Sequence, residues 1–325
     1  MAPLDIPQTT PPPAPPPPPA AGPPTNTAPP AQLTSTWISL DRWCRSNGVP
    51  ARAVNTPAGP AFTLTGRNGS FELRPGTRIA HWNGLEIRLA FAPQLAGGDL
   101  QVHALDLSKT LQPLLVSAPA TFADTNLVVV IDPGHGGTDS GARSVLGYAY
   151  EKDYTLDWAR RLGWLLVTNG WRVYLTRTGD TDLALSNRIA FAESHKAGLF
   201  ISLHFNSSAP NDQQAGLETY CLTPTGMPST VTREFGDDTA LVFPNNTYDA
   251  QNLQLALRAH RALLQVNGRK DRGVRRARFL GVLRGQRCPA ILIEGGYLSN
   301  PQEARRIADP AYRQKLAEAV AKALE

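Results

Sequence analysis

The sequence predicts an α/β fold for the C-terminal part of the chain, with a mostly parallel, twisted sheet and helices on both faces. From residue 125 onward, short aliphatic runs alternate with longer amphipathic segments, a pattern typical of parallel strands connected by helices. A small α+β module precedes this region, and a Pro-rich N-terminus predicted to be disordered precedes the module. We therefore divide the chain into a linker at 1–33, the module at 34–118 and the α/β domain at 125–325.

The N-terminal segment is dominated by proline. Residues 1–32 contain 14 prolines, a composition that favours extended polyproline II and excludes a packed core. We interpret the segment as a spacer; a Pro-rich ligand for another module is the alternative, although no basic residue anchors a PxxP register. The segment has neither the basic nor the apolar region of a signal peptide. No run of about 18 apolar residues predicts a membrane span.

The predicted module combines one short helix with β-hairpins. The helix covers 40–45, and apolar and polar residues alternate in the strands that follow. Asn68-Gly69 and Asn83-Gly84 are typical hairpin turns between such strands. The predicted strands cover 61–64, 70–73, 79–82, 85–91 and 100–103. We assign no chemistry to this module.

Apolar periodicity defines the elements of the α/β domain. A β-branched run predicts the first strand at 127–132, and apolar residues three or four apart predict the first long helix at 153–168. Further strands are predicted at 171–176, 199–203, 216–222, 279–283 and 290–294. Further helices are predicted at 185–196, 250–266, 301–307 and 311–324.

Charge and cysteine content narrow the classes of function. The net charge of +5 suits any anionic polymer as a partner. Ten Lys or Arg residues lie between Arg258 and Arg287 against one acid, Asp271; this basic cluster is either a solvated face or a substrate-facing surface. It lacks the aromatic interleaving that supports base stacking, so nucleic-acid binding is not predicted. The cysteines show no metal-binding or disulfide spacing and are predicted to be free thiols: Cys44, Cys221 and Cys288.

A glycine-rich turn carrying a histidine follows the first strand of the domain. His135 stands in the stretch DPGHGG, where glycines allow a sharp turn that brings the imidazole into the crevice at the strand ends. A phosphate-binding loop is the alternative, but the stretch lacks the Lys and Ser/Thr of a P-loop. Glu151 stands where the helix at 153–168 starts. It either complements the helix dipole or reaches the same crevice.

Two further polar residues stand at strand ends. His204 follows the strand at 199–203, and Glu294 ends the strand at 290–294. With His135 and Glu151, His204 completes a His2Glu set that leaves the fourth position of zinc to water. Partial desolvation at the end of an apolar strand raises the pKa of a carboxyl group, which suits Glu294 to proton transfer. Together the four residues predict metal-assisted hydrolysis with Zn²⁺ as cofactor.

Seven stretches of the chain also carry a family resemblance. They are IDPGHGGTDSGA (131–142), YEKDYTLDWA (150–159), VYLTRTGDTDLALSNR (173–188), FISLHFNS (200–207), GLETY (216–220), DRGV (271–274) and ILIEGGYLSNPQE (291–303). In this order they resemble the zinc-dependent N-acetylmuramoyl-L-alanine amidases that cleave bacterial peptidoglycan, over roughly 127–325. The resemblance implies that His135, Glu151 and His204 bind Zn²⁺ and that Glu294 is the catalytic glutamate.

The chain departs from the family pattern in a few places. Gly198 replaces a usually acidic residue, and Phe205 replaces a usually small one. The segment at 223–249 is longer than in the simplest members, and we interpret it as a surface loop that lines the substrate groove. In some relatives an inserted helix blocks the zinc here. An inhibitory ligand is therefore the alternative for this loop, supplied by Glu234, Asp237 or Asp238.

The expected reaction is hydrolysis of the amide between N-acetylmuramic acid and L-alanine of the stem peptide. Zinc would activate the water, and Glu294 would act as general base and then general acid. Asn206 is expected to position the substrate, and Arg275 and Arg276 to contact stem-peptide carboxylates. A non-catalytic peptidoglycan-binding protein and another zinc hydrolase, such as a carboxypeptidase or a deacetylase, are the alternatives.

The expected reaction also sets the expected surroundings of the protein. Peptidoglycan is the expected partner, and the protein is expected to act as a monomer without nucleic acid. This substrate implies a place in the cell envelope, either periplasmic or extracellular. Whether an activator protein takes part is not predicted.

Overall fold

The structure is a computed structural model that describes residues 37–57, 59–119, 127–147, 149–231, 237–267 and 270–325. The linker predicted at 1–33 lies outside the described residues. Ser35–Glu325 forms one unit by its internal contacts. Within the described ranges, no helix is both long and apolar enough to cross a membrane.

The first part of the unit contains short strands and short helices. Its hairpin turns predict the strands. A stretch of π-helix at Leu107–Val116 ends it. In chain order the other elements are β1 (Trp37–Ser39), α1 (Leu40–Asn47), β2 (Ala51–Thr56), β3 (Gly59–Gly66), β4 (Gly69–Leu73), β5 (Ile79–Trp82), β6 (Leu85–Arg88), β7 (Gln94–Ala96), β8 (Asp99–His103) and α2 (Ala104–Asp106).

The second part alternates strands and helices. A 3₁₀ turn at Pro244–Tyr248 precedes its second long helix. The other elements are β9 (Val128–Pro133), α3 (Glu151–Thr168), β10 (Arg172–Leu175), α4 (Leu185–Ser194), β11 (Leu199–Asn206), β12 (Leu217–Cys221), α5 (Asp249–Asn267), β13 (Asp271–Arg276), α6 (Gly281–Arg284), β14 (Ala290–Tyr297), α7 (Pro301–Ala308) and α8 (Pro310–Ala323).

One sheet of eleven strands runs through both parts in the order β10-β9-β11-β14-β12-β13-β6-β5-β4-β3-β2. β10, β9, β11 and β14 are parallel, and β12 is antiparallel to β14. β13 is parallel to both β12 and β6, and an antiparallel meander continues from β6 to β2. The predicted α/β fold is confirmed. The division near residues 118–125 stays a prediction, and the sheet crosses it.

The alternation of side chains along the strands separates two apolar layers. Ile201 and Leu203 of β11 belong to the larger cluster, which contains residues of α3, α5 and α8. Phe200, on the opposite face, packs with residues of α4 and α6. Helices therefore cover both faces of the sheet, and the ends of β9, β11 and β14 lie between them.

One predicted strand was wrong. Gly281–Arg284 forms the short helix α6, whereas 279–283 was predicted to be a strand. A short apolar run fits a buried helix segment as well as a strand. The strand in this region is β13 at Asp271–Arg276, which was not predicted because four of its six residues, DRGVRR, are charged.

Candidate metal centre

The loop after β9 is shaped by close backbone approach to β11. The Gly134 N–H donates to the Leu203 carbonyl at 3.0 Å, and a Cβ at Gly134 would overlap the imidazole of His204. His135 itself has φ +62°, a left-handed conformation that few non-glycine residues adopt. The loop thus brings the two histidines together, with 4.9 Å between their ring centroids.

Glu151 joins the two histidines. Its Oε2 lies 3.1 Å from His135 Nε2, and its Oε1 lies 2.9 Å from His204 Nδ1. The backbone N–H groups of Ala142 and Phe205 also donate to this carboxylate, each at 3.0 Å. One ligand atom from each of His135, Glu151 and His204 lies within 4.8 Å of the others. Two imidazole nitrogens and a carboxylate oxygen are a donor set that suits Zn²⁺.

Hydrogen bonds and opposite charges favour the ionised forms of Glu151 and His135. Burial opposes ionisation of Glu151, but hydrogen bonds from His135 and His204 outweigh it and lower the pKa of the carboxyl group. Burial likewise opposes protonation of His135, but Glu151 and then Asp139 outweigh it and raise the pKa of the imidazole. Asp139 Oδ2 lies 2.9 Å from His135 Nδ1. A carboxylate on the second ring nitrogen is typical of metal-binding histidines.

Two buried arginines donate hydrogen bonds to the loop after β9 and to its neighbours. Arg188 donates to Asp132 Oδ1 at 2.6 Å and to the His135 carbonyl at 2.8 Å. Asp132, only 1% exposed, also accepts from Thr176 and Ser202. Arg177 donates to the carbonyls of Pro133, Gly134 and Lys152. No role was predicted for these arginines, although both lie in the VYLTRTGDTDLALSNR stretch.

Glu294 lies on β14 beside His135, Glu151 and His204, which we call the metal group. It is the register partner of His204 on β11 and of Glu218 on β12. Its Oε2 is buried and has no hydrogen-bond partner among the described residues. Burial, followed by the negative charges of Glu151 and Glu218, raises the pKa of Glu294 well above the usual carboxyl value. A carboxyl group with a raised pKa is a candidate for proton transfer.

Comparison with known families gives this arrangement a context. The family profile described as N-acetylmuramoyl-L-alanine amidase matches residues 129–325. The chain belongs to this family. Its members are hydrolytic enzymes that act on the bond between N-acetylmuramic acid and L-alanine in cell-wall peptidoglycan. The predicted resemblance is therefore confirmed.

Individual relatives show how far the similarity extends. AmiA of Escherichia coli K12, an N-acetylmuramoyl-L-alanine amidase, is 31% identical over 215 residues, which cover 60% of this chain and 73% of AmiA. LytC of Bacillus subtilis 168, with the same description, is 33% identical over 195 residues, which cover 59% of this chain and 34% of LytC. Similarity to these relatives thus leaves about two fifths of this amidase unmatched.

Solved structures agree with the fold. The catalytic domain of CwlV from Bacillus (Paenibacillus) polymyxa var. colistinus has a TM-score of 0.50 and 32% identity, covering 61% of this chain and 95% of that chain. AmiC2 of Nostoc punctiforme has a TM-score of 0.50 and 33% identity, covering 61% of this chain and 94% of that chain. Both are N-acetylmuramoyl-L-alanine amidases.

A second glutamate, Glu218, is the register partner of Glu294 and accepts several hydrogen bonds. Glu218 is 5% exposed and accepts hydrogen bonds from Asn206 Nδ2 at 3.0 Å, Tyr220 OH at 2.8 Å and Arg272 Nε at 2.8 Å. Arg272 also lies over the ring of Tyr297. Sequence analysis noted Asn206 but assigned no role to Glu218, although both lie in motifs of the family resemblance.

The structure does not support substrate contact by Arg276. Its side chain is 3% exposed and donates to Thr110 Oγ1 at 2.7 Å and to the Lys109 carbonyl at 2.6 Å. The prediction for Arg276 is corrected accordingly: this arginine ties β13 to the π-helix. Arg275 points to the other face of β13, and its substrate contact stays a prediction. The basic cluster is thus not one continuous surface.

The loop at 223–249 forms an ion pair with Arg278, two residues after the end of β13. Asp237 Oδ1 lies 3.2 Å from Arg278 Nε, and Asp237 Oδ2 accepts the Ser229 N–H at 2.6 Å. Asp238 accepts the Ala240 N–H. Neither aspartate belongs to the metal group, and Glu234 lies outside the described residues. These contacts fit the interpretation of a surface loop better than that of an inhibitory ligand.

Proposed function

We propose that this amidase hydrolyses the amide bond between N-acetylmuramic acid and L-alanine in a zinc-dependent reaction carried out by the domain at 125–325. The observation that carries the proposal is the group of His135, Glu151 and His204 with Glu294 beside it on the neighbouring strand. We assign the three members of the group as Zn²⁺ ligands and Glu294 as the catalytic acid and base.

The ligand assignment rests on the donor set and on its support. When bound, Zn²⁺ supplies a Lewis acid and lowers the pKa of its water to about 7. Glu151 is already held by two backbone N–H groups, and Asp139 fixes the His135 ring. The ligand side chains therefore need little rearrangement to hold a metal ion.

Glu294 moves the protons in the proposed reaction. Its carboxylate accepts a proton from the attacking water as the water oxygen bonds to the lactyl carbonyl carbon. The carbon–nitrogen bond then breaks, and Glu294 returns the proton to the nitrogen of L-alanine, which leaves as an amine. The raised pKa of Glu294 supports the acid half of this role, because a protonated carboxyl group can donate to the leaving nitrogen.

Substrate and location follow from the family. We propose intact peptidoglycan as the substrate and a monomer acting in the cell envelope as the working form. Asn206 is proposed to position the substrate, because its amide is fixed by Glu218 at the end of β11. Arg275 is proposed to contact the stem peptide.

Digestion of purified peptidoglycan tests the reaction. We expect wild-type protein with zinc to release free stem peptides that begin with L-alanine, as identified by mass spectrometry. Loss of terminal residues would instead indicate a carboxypeptidase, and release of acetate a deacetylase. Absence of any product at saturating zinc would indicate a binding protein.

Substitution of Glu294 tests the assigned role. We expect Glu294→Ala to bind zinc like the wild type but to lose hydrolysis by at least about a hundredfold, because no other group replaces its proton transfer. Metal analysis and the same digest measure both properties. Glu318→Ala, at an exposed position of α8, is the matched control. Full activity of Glu294→Ala would rule out the assignment.

A further inference from the structure

A charged cluster lies where β6 of the module pairs with β13. Glu86 Oε1 is 3.3 Å from Arg88 Nε and 3.8 Å from Arg275 Nη2. Two guanidinium groups therefore share one carboxylate. The side chains are partly accessible, at 35% for Arg88, 25% for Glu86 and 11% for Arg275.

One arginine of the cluster has unused hydrogen-bonding capacity. Arg275 Nε is buried without a hydrogen-bond partner in the described part of the chain, whereas Glu86 Oε1 and Arg88 Nε form an ion pair with each other. Buried polar groups in proteins are nearly always satisfied, so each exception requires an explanation. Burial and then repulsion from Arg88 lower the pKa of Arg275, although Glu86 lies between the two arginines. A carboxylate beside Arg275 would accept from its Nε and offset the repulsion between the two guanidinium groups.

The cluster lies on the same face of the sheet as the catalytic residues. His204 is the register partner of Glu294, and Glu294 that of Glu218. Two residues further along β12, Tyr220 is the partner of Arg275. Side chains two residues apart in a strand share a face, so these five residues lie on one face of the sheet across four strands.

Arg88 extends this face of the sheet into the module. Val274 is the partner of Ile87, and both are buried in the larger apolar cluster. Their neighbours Arg275 and Arg88 therefore lie together on the opposite face. Three strand spacings separate β11 from β13, roughly 14 Å, and Arg275 lies two residues further along the strands, roughly 7 Å. An extended peptide of about five residues spans the resulting distance of roughly 16 Å at about 3.3 Å per residue.

We propose that Arg88 and Arg275 form a subsite for a carboxylate of the peptidoglycan stem peptide. The module thus contributes a residue to substrate recognition. Paired guanidinium groups recognise carboxylates through charge-assisted, often bidentate hydrogen bonds, and Glu86 holds both groups in place. This inference rests on the proposed function, because the metal group defines where the peptide starts.

Kinetics with matched substrates test the subsite. Muramoyl pentapeptides are prepared with each stem carboxylate either free or converted to a carboxamide. Wild type, Arg88→Gln and Arg275→Gln are compared on both forms, with Arg275→Lys as a variant that retains the charge. Arg52→Gln removes a charge from β2 at the far edge of the same sheet and serves as control. Zinc content and thermal unfolding are recorded for every variant.

The expected result is a loss of substrate discrimination. Wild type and Arg52→Gln prefer one free carboxylate by about tenfold in kcat/KM through KM. Arg88→Gln and Arg275→Gln abolish this preference, because they lose activity on the free carboxylate more than on the carboxamide. Arg275→Lys retains part of the preference. A purely structural ion pair would give equal losses on both substrates together with a lower melting temperature, and that outcome overturns the proposal.

Binding separates this inference from the proposed reaction. Calorimetric titration with the free stem peptide and with its carboxamide form needs no turnover. If wild type hydrolyses neither substrate, the proposed reaction fails. The subsite is still supported if the peptide with free carboxylates binds more tightly than its carboxamide form and if this difference depends on Arg88. Equal binding of both peptides by wild type overturns the subsite even when hydrolysis is normal.

Discussion

Two glutamates at the proposed metal centre are placed in opposite electrostatic surroundings. Glu151 is surrounded by hydrogen-bond donors, which lower the pKa of its carboxyl group although the residue is buried. Glu294 is buried beside other carboxylates, which raises its pKa. Pairs of titratable groups whose pKa values are pushed apart often divide ligand, acid and base roles between them. The surroundings, rather than the residue type, therefore distinguish the proposed ligand from the proposed proton carrier.

Substitution of Asp139 tests whether a residue outside the proposed ligands affects metal binding. Its carboxylate holds the Nδ1 side of the His135 ring, and Asp139→Asn removes the charge while preserving the shape. We expect zinc affinity to fall about 10- to 100-fold, as measured by competition with a chromophoric chelator. Asp212→Asn, at an exposed site, is the control. Wild-type affinity in Asp139→Asn would show that the ring is fixed by other contacts.

Glu218 tests the polar network of the cleft. Glu218→Ala removes the carboxylate that accepts from the partly buried guanidinium of Arg272, the Asn206 amide and the Tyr220 hydroxyl. We expect the free energy of unfolding to fall by about 3 kcal/mol, as measured by urea titration. Glu218→Gln retains one acceptor oxygen and should recover part of the loss. A loss no larger than that of an exposed ion pair, up to about 1 kcal/mol, would contradict this.

The site residues differ in how visible they are in the sequence. His135 and His204 follow apolar strands directly, so their convergence was predictable from the sheet rule. Glu218 lies inside a strand, where no local pattern distinguishes a structural carboxylate from a solvated one. Arg276 was misassigned because a count of charges does not give side-chain direction, and the register of β13 shifts between Asp271 and Val274.

At the scale of elements, the contact between the β9 loop and β11 fixes the histidine pair. A Cβ at Gly134 would overlap the ring of His204, so Gly134→Ala forces one of the two to move. We expect hydrolysis to fall about a hundredfold, since a displacement of about 1 Å has that effect in a catalytic site. Gly179→Ala, where the nearest atom lies at 3.9 Å, is the control. Comparable activities of the two variants would refute the contact.

Helices α3 and α8 are joined by a pH-sensitive contact. Burial opposes ionisation of Asp157, but hydrogen bonds from Arg161 and Arg313 outweigh it and lower its pKa. A lowered pKa means that the ionised group stabilises the fold above the usual carboxyl pKa and that this stabilisation is lost as pH falls through the folded value.

Asp157→Asn should therefore be less stable than wild type at neutral pH, and the difference should shrink below about pH 4. Urea unfolding at a series of pH values measures the difference. Asp212→Asn should show little difference at any pH. A constant deficit for Asp157→Asn across the series would mean that packing, rather than charge, dominates this contact.

At the scale of the whole molecule, the two parts of the unit share one sheet and one apolar cluster. Leu111 of the π-helix and Leu257 of α5 belong to the same cluster. Leu111→Ala should lower the free energy of unfolding by about 3 kcal/mol and shift a single calorimetric transition. Leu95→Ala, at a site 52% exposed, should have little effect. Two separate transitions, with only one shifted by Leu111→Ala, would show that the parts unfold independently.

The joining of these parts was not predictable from local pattern. Hairpin turns and strand–helix alternation indicated each part correctly, because both signals depend on residues close in sequence. The pairing of β6 with β13 links positions as distant as Ile87 and Val274, and β13 was hidden by its charged residues. Long-range pairing between strands leaves no such local signal.

The position of β13 has a consequence for shorter versions of the enzyme. A fragment that begins at residue 125 keeps the metal group but loses β6, so β13 becomes the last strand of its sheet. Its backbone N–H and C=O groups would then lie open as a template for strands of other molecules. Such a fragment should self-associate in gel filtration, and a proline substitution in β13, which removes a backbone donor from the exposed edge, should restore the monomer.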